Sequence, residues 1–260
     1  MHTKTNRLYL VFMFFGALVL LFIVAPLTGI FLETSGTEFF ETAKDKEVRS
    51  SIILTLTTSL FGTLAFSIAA IPLAYLMAKK EFFGKKIVQG IIDLPIVIPH
   101  SAAGIAILGF ISRDSALGTV ADNFGLNLIG HPIGISLAMA FVSVPFLLNA
   151  ARNGFEAVPD RLEKAALNLG ASPTRVFFSI SLPLAWRSIV SGFVLMFARG
   201  MSEFGAVVII AYHPMITPVM IFERFNAFGL EYAQPIAAVF ICVSLLFFIA
   251  IRLLSEKKQN

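Results

Sequence analysis

Charged residues are scarce in this chain. They make up 14% of its 260 residues, whereas an average globular domain carries about 25%. Apolar residues account for 57% of the sequence, and the mean hydropathy is +0.84. Such a composition excludes an ordinary soluble globular protein. For a chain of this length it favours an all-α bundle of several membrane helices.

Three further absences limit the chemistry. Cys242 is the single cysteine, so no internal disulfide can form, and no Cys/His spacing resembles a zinc site. No stretch matches G-x-x-x-x-G-K-[ST], so the chain is not expected to hydrolyse ATP. The net charge of +4 is spread over loops and forms no basic face for nucleic acid. We therefore expect no catalytic residue, cofactor, metal or nucleic-acid partner, and we predict that the chain is not an enzyme.

Six apolar runs are long enough to cross a bilayer, whose hydrocarbon core of about 30 Å needs about 20 helical residues. The first run, of about 25 residues, is too long for the apolar region of a cleavable signal peptide, which holds about 7–15. The sequence therefore predicts a polytopic membrane protein with spans at 8–32, 50–78, 87–112, 132–154, 187–212 and 232–254.

The distribution of lysine and arginine predicts how these spans are oriented. Of the 20 such residues, 14 fall in the amino terminus, the loop 79–86, the loop 152–187 and the carboxyl tail. Arg199 lies within a span, and five fall in the remaining loops, at Lys44, Lys46, Arg49, Arg113 and Arg224. We therefore expect a multi-pass protein of the plasma membrane with both termini and the loop 152–187 in the cytoplasm.

The segment 158–183 is the longest polar interruption between the predicted spans. Pro159 begins a short helix, and Gly170 ends it because glycine enters the left-handed conformation without steric cost. Ser172 followed by Pro173 is typical of a second helix start, and Pro183 is expected to end that helix. The segment is therefore predicted to be two short helices around a tight break.

The first of these helices carries an apolar stripe at helical spacing, formed by Leu162, Ala165, Ala166 and Leu169. Its alanines leave a shallow face on which another protein can pack closely. An alternative is a helix that lies on lipid without a partner. That alternative calls for bulky aromatic residues on the apolar face and lysine on the other, and this helix lacks that pattern.

Asp93, Arg199 and Glu203 are the ionisable residues placed at membrane depth. A charge there costs about 2.5–3.5 kcal/mol, so each should face protein or water. Arg199 and Glu203 are four residues apart and can pair on one helix face. We favour a structural ion pair that fixes helix packing, and an element of an anion path is the alternative.

The third span contains two prolines, Pro95 and Pro99, which lack backbone donors and are expected to bend it. Bent segments at membrane depth persist where they are buried in protein or line a cavity. His100 follows directly, and a packing or capping role is favoured over contact with a substrate. The residues that could form a translocation path or gate are Pro99, His100, Ser101, Arg199, Ser202 and Glu203.

The segment 158–183 resembles the cytoplasmic coupling loop of ABC-importer permeases, whose pattern is Glu-Ala-Ala, three residues, Gly, and later Ile-x-Leu-Pro. The matching positions are Lys164, Ala165, Ala166, Gly170, Ile180, Leu182 and Pro183. Lys164 stands where the family has glutamate, and Glu163 is displaced one residue upstream. The resemblance implies docking on a separate ATPase subunit through Leu162, Glu163, Lys164, Ala165, Ala166, Leu169 and Gly170.

Two further stretches, DLPIVIPH at 93–100 and residues 198–216, resemble the permease subunit of molybdate/tungstate ABC importers, especially those of archaea. Sulfate/thiosulfate permeases have similar motifs. The resemblance covers the whole chain and implies a type I ABC importer permease fold, one permease domain over residues 1–260 with core spans at 50–254, and alternating access as a homodimer. The implied partners are two ATPase subunits, which bind ATP and Mg, and an extracytoplasmic oxyanion-binding protein.

Two other classes of protein remain as alternatives. An ion-coupled secondary transporter would have discontinuous helices in an inverted repeat and no need for the coupling segment. A membrane-embedded enzyme would need convergent nucleophiles or metal ligands. If the coupling interpretation holds, a bulky residue at Gly170 or Ala166 abolishes ATPase docking, whereas changes at Glu163 and Lys164, taken as exposed charges, have smaller effects.

Overall fold

The structure, a computed structural model, describes the backbone of residues 7–256 and the side chains of residues 8–250. Lys4, Lys257 and Lys258, which contribute to the predicted orientation, lie outside the described residues. The regular elements within that range are helices: α1 (Arg7–Glu33), α2 (Gly36–Lys44), α3 (Lys46–Lys79), α4 (Lys85–Val97), α5 (His100–Ile111), α6 (Ala116–Asn123), α7 (Pro132–Glu156), α8 (Asp160–Asn168), α9 (Pro173–Val176), a π-helical turn (Phe177–Ser181), α10 (Leu182–Met201), α11 (Val207–Ile210), α12 (Thr217–Phe228) and α13 (Leu230–Glu256).

Five helices in the described range are long and apolar enough to cross a membrane, and a bent pair can supply a sixth span. Four of the predicted spans correspond closely to α1, α3, α7 and α13. Residues 8–28 of α1 are exposed throughout, and α1 packs against α13 at the edge of the bundle. An apolar helix exposed on all sides is suited to a lipid environment, which agrees with the predicted all-α membrane fold.

The third predicted span, 87–112, is not continuous. α4 ends at Val97 and α5 begins at His100, and the direction of the helix axis changes by 111° between them. Ile98 is extended because a residue that precedes proline is disfavoured in the helical region, and Pro99 has no N–H to continue the ladder. The predicted bend is present, but it separates two helices.

The fifth predicted span, 187–212, has the wrong bounds. A continuous helical segment runs from Pro173 to Met201, so Pro183 does not end the second helix of the coupling segment. In the π-helical turn before it, the Leu182 N–H bonds the Phe177 carbonyl, five residues back. Pro183 then occupies the first turn of α10, where its missing N–H is tolerated.

Several short helices between the spans were not predicted. The polar stretch 33–49 contains α2, whose start is fixed by a reciprocal pair of hydrogen bonds between Ser35 and Glu38. The loops on either side of the spans contain α6, α11 and α12. Each is short, and their local patterns are weak compared with the long apolar runs of the spans.

Helix α7 forms the centre of the bundle, with α3 and α10 packed against it. Its buried residues continue into two apolar clusters. One cluster joins α7 to α5 and the segment 206–219, and the other joins it to the carboxyl-terminal half of α3 and to α10. Close approach needs small residues in such packing. A Cβ added at Gly192 of α10 would lie 2.7 Å from the Cβ of Ala150.

Replacing Gly192 by alanine is expected to lower the free energy of unfolding by about 1–3 kcal/mol, because the added methyl overpacks the α7–α10 interface. Gly90→Ala is the matched control, since Gly90 lies in α4 with no atom within 4 Å of its added Cβ. We expect that control to be neutral or slightly stabilising. Thermal unfolding of the purified protein in detergent measures both changes, and equal melting temperatures would contradict the packing described here.

Candidate coupling helix and membrane-depth ion cluster

Helix α8 is the first helix predicted in the coupling segment. It begins at Asp160 after Pro159 and ends at Asn168, and Gly170 adopts a φ of +86°, the left-handed conformation expected for a glycine stop. The Ser172 hydroxyl then accepts a hydrogen bond of 3.3 Å from the Arg175 N–H, as predicted for a helix start. The predicted boundaries of this break are therefore confirmed.

The outward face of α8 is apolar. Leu162, Ala165 and Leu169 are exposed, and the side chain of Leu169 is 89% accessible. Ala166, the fourth member of the predicted stripe, is half-buried and turns partly towards the chain itself. Exposure of two neighbouring leucines to water is unfavourable, and such apolar patches often mark a site of interaction. It is the part of α8 available to a partner.

The inward face of α8 is held by ionic groups. The Lys79 Nζ, at the end of α3, donates to the Val158 carbonyl at 2.7 Å and to Asp160 Oδ1 at 2.9 Å. It also lies 3.6 Å from Glu163 Oε2. The Ser181 hydroxyl, in the π-helical turn, donates to Glu163 Oε1 at 2.6 Å. Helix α8 is thus attached both to α3 and to the helix that leads into α10.

The assumption that Glu163 is an exposed charge is wrong. Its side chain is 12% exposed and that of Lys79 is 8% exposed. The polarity of Glu163 made it resemble a surface residue in the sequence, because its partners are distant along the chain. We therefore expect its replacement to have a larger effect than that of Lys164, which is exposed.

The hydrogen bond from Lys79, together with the charge of Lys79, holds the pKa of Asp160 below its usual range. A pKa that is lower in the folded than in the unfolded chain contributes stability above the unfolded value, and this contribution is lost as pH falls through the folded value. The Asp160 carboxylate therefore keeps its charge at neutral pH, and its contribution to stability is lost only in acid.

A second group of charged residues lies inside the bundle. Glu203 has a fully buried side chain, and its Oε2 lies 2.9 Å from Arg199 Nη2 and 2.7 Å from His100 Nδ1. Its Oε1 accepts a hydrogen bond of 2.8 Å from the Ala206 N–H. Arg199 Nη2 is also 2.9 Å from both ring nitrogens of His100. We call His100, Arg199 and Glu203 the ion cluster.

The ion cluster joins two interruptions in the spans. His100 is the first residue of α5, directly after the break from α4, and Glu203 follows the end of α10 at Met201. The backbones approach closely at this point. A Cβ added at Gly205 would lie 2.7 Å from the His100 Cβ, and one added at Gly104 would lie 2.9 Å from the Ala206 Cα. Larger side chains at either glycine would separate the two breaks.

The depth of the ion cluster can be judged from α3. The Ser59 hydroxyl donates to the Phe197 carbonyl at 2.8 Å, two residues before Arg199. At 1.5 Å per residue, Ser59 lies about 20 Å along the axis from Lys46 and about 30 Å from Lys79. The ion cluster therefore lies well inside the span, away from both ends.

Asp93, the third ionisable residue predicted at membrane depth, is satisfied by polar side chains. Its two carboxylate oxygens accept hydrogen bonds from Gln89 Nε2 at 2.8 Å and from Asn149 Nδ2 at 2.7 Å. Arg152 in turn donates to the side-chain amide oxygen of Gln89, Oε1. These contacts tie α4 to α7, so Asp93 faces protein, as its expected cost in lipid requires.

The structure brings the predicted path residues together at one place. Pro99 precedes α5, and Ser101 is exposed in its first turn. Ser202 is exposed at the end of α10, where its hydroxyl donates to the Arg199 carbonyl at 3.0 Å. The predicted Arg199–Glu203 pair is present, and His100 joins it, which its position alone did not indicate. Among the described residues, no group of three His, Cys, Asp or Glu side chains could hold a metal ion.

Lys79 and Ser181 were missed by the sequence analysis. Lys79 was counted only as one of four lysines in a loop that indicated orientation, and Ser181 lies among apolar residues. The one available signal was the displaced acid at Glu163, which needs a partner if it turns inward. The position of that partner, 84 residues earlier in the chain, is set by the packing of α3 against α7.

A bundle of apolar helices with a buried carboxylate and its partners beside a break in one span has the architecture of a membrane permease. Comparison with known families identifies which kind. Residues 70–259 match the family described as binding-protein-dependent transport system inner membrane component, and the chain belongs to this family. It is a multi-pass membrane subunit of a transport system.

Relatives extend over almost the entire chain. The molybdate/tungstate transport system permease protein of Thermococcus kodakarensis is 40% identical over 98% of this chain and 99% of its own length. That of Pyrococcus furiosus is 42% identical over the same shares. The sulfate transport system permease protein of a Synechocystis species is 30% identical over 92% of this chain and 86% of its own length.

Solved structures share the fold at low identity. A bacterial ABC transporter involved in the import of the acidic polysaccharide alginate matches with a TM-score of 0.75 at 18% identity, over 98% of both chains. An amino acid ABC transporter crystallised with histidines matches with a TM-score of 0.56 at 19% identity, over 81% of this chain and 94% of the other. These matches confirm the predicted type I importer permease fold.

Replacing Lys79 by methionine, which keeps its length and removes its charge, is expected to loosen α8. The change leaves the half-buried Glu163 without a cation, at a cost of about 1–3 kcal/mol in local stability. Hydrogen exchange of the amides in residues 158–170 should then be about tenfold faster or more. Lys80→Met is the control, because Lys80 is exposed. Unchanged exchange in Lys79→Met would contradict the attachment described here.

Proposed function

We propose that this chain is the permease of an ATP-driven, binding-protein-dependent importer of tungstate or molybdate. Support for the substrate comes from the relatives that are about 40% identical over nearly the full length, which carry that name, whereas a sulfate permease is 30% identical. Support for an ATPase partner comes from the chain itself, which contains no P-loop sequence. ATP and Mg would bind the partner.

The main structural support for an ATPase partner is the outward face of α8. Leu162, Ala165 and Leu169 form a shallow apolar surface on a helix held in a fixed position by Lys79 and Glu163. A short amphipathic helix that presents such a face fits a groove in another protein. Because the opposite face of α8 is attached to two spans, movement of the docked partner would be transmitted to the membrane part.

The proposed cycle follows from this attachment. ATP-driven closure of two ATPase subunits would draw two α8 helices together and tilt the spans, which opens the path towards the binding protein. Hydrolysis would let the spans relax and open the path towards the cytoplasm. This is alternating access by a rigid-body change. It needs a second copy of the chain, with the path along the two-fold axis between the copies.

The same proposal fixes the orientation. Lys79 contacts α8, so the lysine-rich loop 79–86 and the coupling helix share one end of the bundle. Arg224 and Glu47, 2.8 Å apart, belong to loops predicted for the opposite side. The lysine-rich end would face the cytoplasm, and the end with Arg224 would face the extracytoplasmic binding protein.

The alternative classes have less support. The break between α4 and α5 is a discontinuous span of the kind expected in a secondary transporter. However, a secondary transporter would not need a helix such as α8 that is fixed in position and faces outward. Membership of the binding-protein-dependent family also argues against this hypothesis. A sulfate importer is the nearer alternative, because its architecture and the chemistry of its substrate are similar.

The coupling interpretation predicts which side of α8 binds the ATPase. Ala165→Trp should abolish co-purification of the ATPase, since a bulky group would project from the apolar face. Leu167→Trp is the matched control and should leave co-purification nearly intact, because Leu167 is exposed but lies two residues from Ala165 and therefore on the opposite side of α8. Ala165 is a cleaner position than Ala166, which is half-buried and could disturb the chain itself.

Co-purification from detergent extracts measures the association, and the melting temperature of the permease shows whether the spans remain folded. Undiminished recovery of the ATPase with Ala165→Trp would contradict docking on this face. At Gly170, any residue with a Cβ is strained by the positive φ although the surrounding space is open, so its replacement should displace the end of α8.

The substrate is tested with the reconstituted complex of permease, ATPase and binding protein. The binding protein is loaded in turn with tungstate, molybdate and sulfate, and ATP hydrolysis is measured. We expect stimulation by the first two and none by sulfate. Stimulation by sulfate alone would transfer the chain to the sulfate importers, and no stimulation in a folded complex would contradict the proposed coupling.

A further inference from the structure

We propose that His100 and Arg199 form a transient oxyanion site in the path, with Glu203 as the resting counter-ion that competes with the anion. The inference rests on the proposed function, because it assigns a place where the transported anion contacts this chain. Its ligand class is a tetrahedral oxyanion, which includes tungstate, molybdate and sulfate.

The accessible side of the ion cluster presents hydrogen-bond donors. The side chains of His100 and Arg199 are 38% and 24% exposed, whereas that of Glu203 is fully buried behind them. The hydroxyls of Ser101 and Ser202 are on exposed residues at the same place. An anion that approaches from the open side therefore meets the guanidinium, the imidazole and the Ser101 hydroxyl before it meets the carboxylate, whereas the Ser202 hydroxyl already donates to the Arg199 carbonyl.

The start of α5 adds backbone donors. Its first intrahelical hydrogen bond joins the Ala103 N–H to the Pro99 carbonyl, so the N–H groups before Ala103 have no partner within the helix. No side chain in the described part of the chain caps this end. The positive end of the helix dipole also favours an anion. These donors lie beside His100, so they reinforce the site formed by the side chains.

Exposure separates this inference from a purely structural ion pair. At membrane depth, a charged group that faces lipid is costly, so an exposed arginine must face water or protein. An ion pair that only fixes helix packing does not require an accessible cation. Here the carboxylate is buried and the cation is accessible, which is the arrangement needed to receive a negative ligand.

Glu203 explains why binding would be brief. Its Oε2 lies 2.9 Å from Arg199 Nη2 and 2.7 Å from His100 Nδ1. An oxyanion therefore has to compete with Glu203 for both groups. Its Oε1 stays bonded to the Ala206 N–H, which keeps the carboxylate in place. A path needs a site that is favourable enough to enter and weak enough to leave. A fixed internal competitor provides this.

The test measures tungstate binding to the assembled permease–ATPase complex in lipid nanodiscs, without binding protein, by equilibrium dialysis and elemental analysis. Glu203→Gln keeps an oxygen that can accept the Ala206 N–H and removes the competing charge. We expect it to bind tungstate about tenfold more tightly than the wild type. Arg199→Gln should weaken binding about tenfold or more, Arg199→Lys should retain part of it, and Arg113→Gln, an exposed arginine, should change nothing.

Each result bears on the site. Equal affinities of the wild type, Glu203→Gln and His100→Gln would overturn the proposal, and so would no detectable binding to either wild type or Glu203→Gln. Should Arg199→Gln not fold, the Glu203→Gln and His100→Gln comparisons decide. Stimulation of ATP hydrolysis by tungstate-loaded binding protein is measured in parallel on the wild-type complex. Its presence without these affinity changes would reject the site alone, whereas its absence would reject the proposed function.

Discussion

The burial of one carboxylate organises the membrane part of this protein. Glu203 is fully inside the bundle, and a charge without a partner there would be strongly destabilising. The Arg199 guanidinium balances its charge, His100 contacts the same carboxylate oxygen, and the Ala206 N–H satisfies the second oxygen. Arg199 and Ala206 are close to Glu203 in the chain, whereas His100 comes from the break between α4 and α5, so the carboxylate joins the two breaks.

The small residues around that point follow from the same constraint. Gly104 and Gly205 allow the start of α5 to approach the turn that follows α10. The extended residues Ile98 and Pro99 release α5 from the axis of α4, so that His100 can reach Glu203. The interruptions therefore allow His100 to contact the buried carboxylate, and the packing of α3, α7 and α10 supports them.

Long, continuous apolar runs in the sequence made much of this fold predictable. The runs that became α1, α3, α7 and α13 are long and uniform, and the glycine stop at Gly170 acts through local backbone geometry. The start of the fifth span was misjudged because Pro183 is normally a helix breaker. Whether it breaks a helix depends on the π-helical turn before it, which is a property of packing and has no local sequence signal.

The candidate sites divide in the same way. Arg199 and Glu203 could be paired from their spacing, because four residues span about one helical turn. His100 could not be added to them, since the contact depends on the angle between α4 and α5. Glu163 was misread for a similar reason, because Lys79 and Ser181 lie far away in the chain. Contacts within one helix were accessible to prediction, whereas contacts between helices were not.

The helical segment from Pro173 to Met201 is uninterrupted, so a tilt at one end moves the other end. Its 29 residues extend about 43 Å, with α8 attached near one end and Arg199 near the other. In a rigid rod of this length, a tilt of about 10° at the end next to α8 displaces the far end by about 7 Å. That distance exceeds the reach of a hydrogen bond. A modest rotation imposed from outside the membrane must either carry α5 along with Arg199 or pull the guanidinium away from His100.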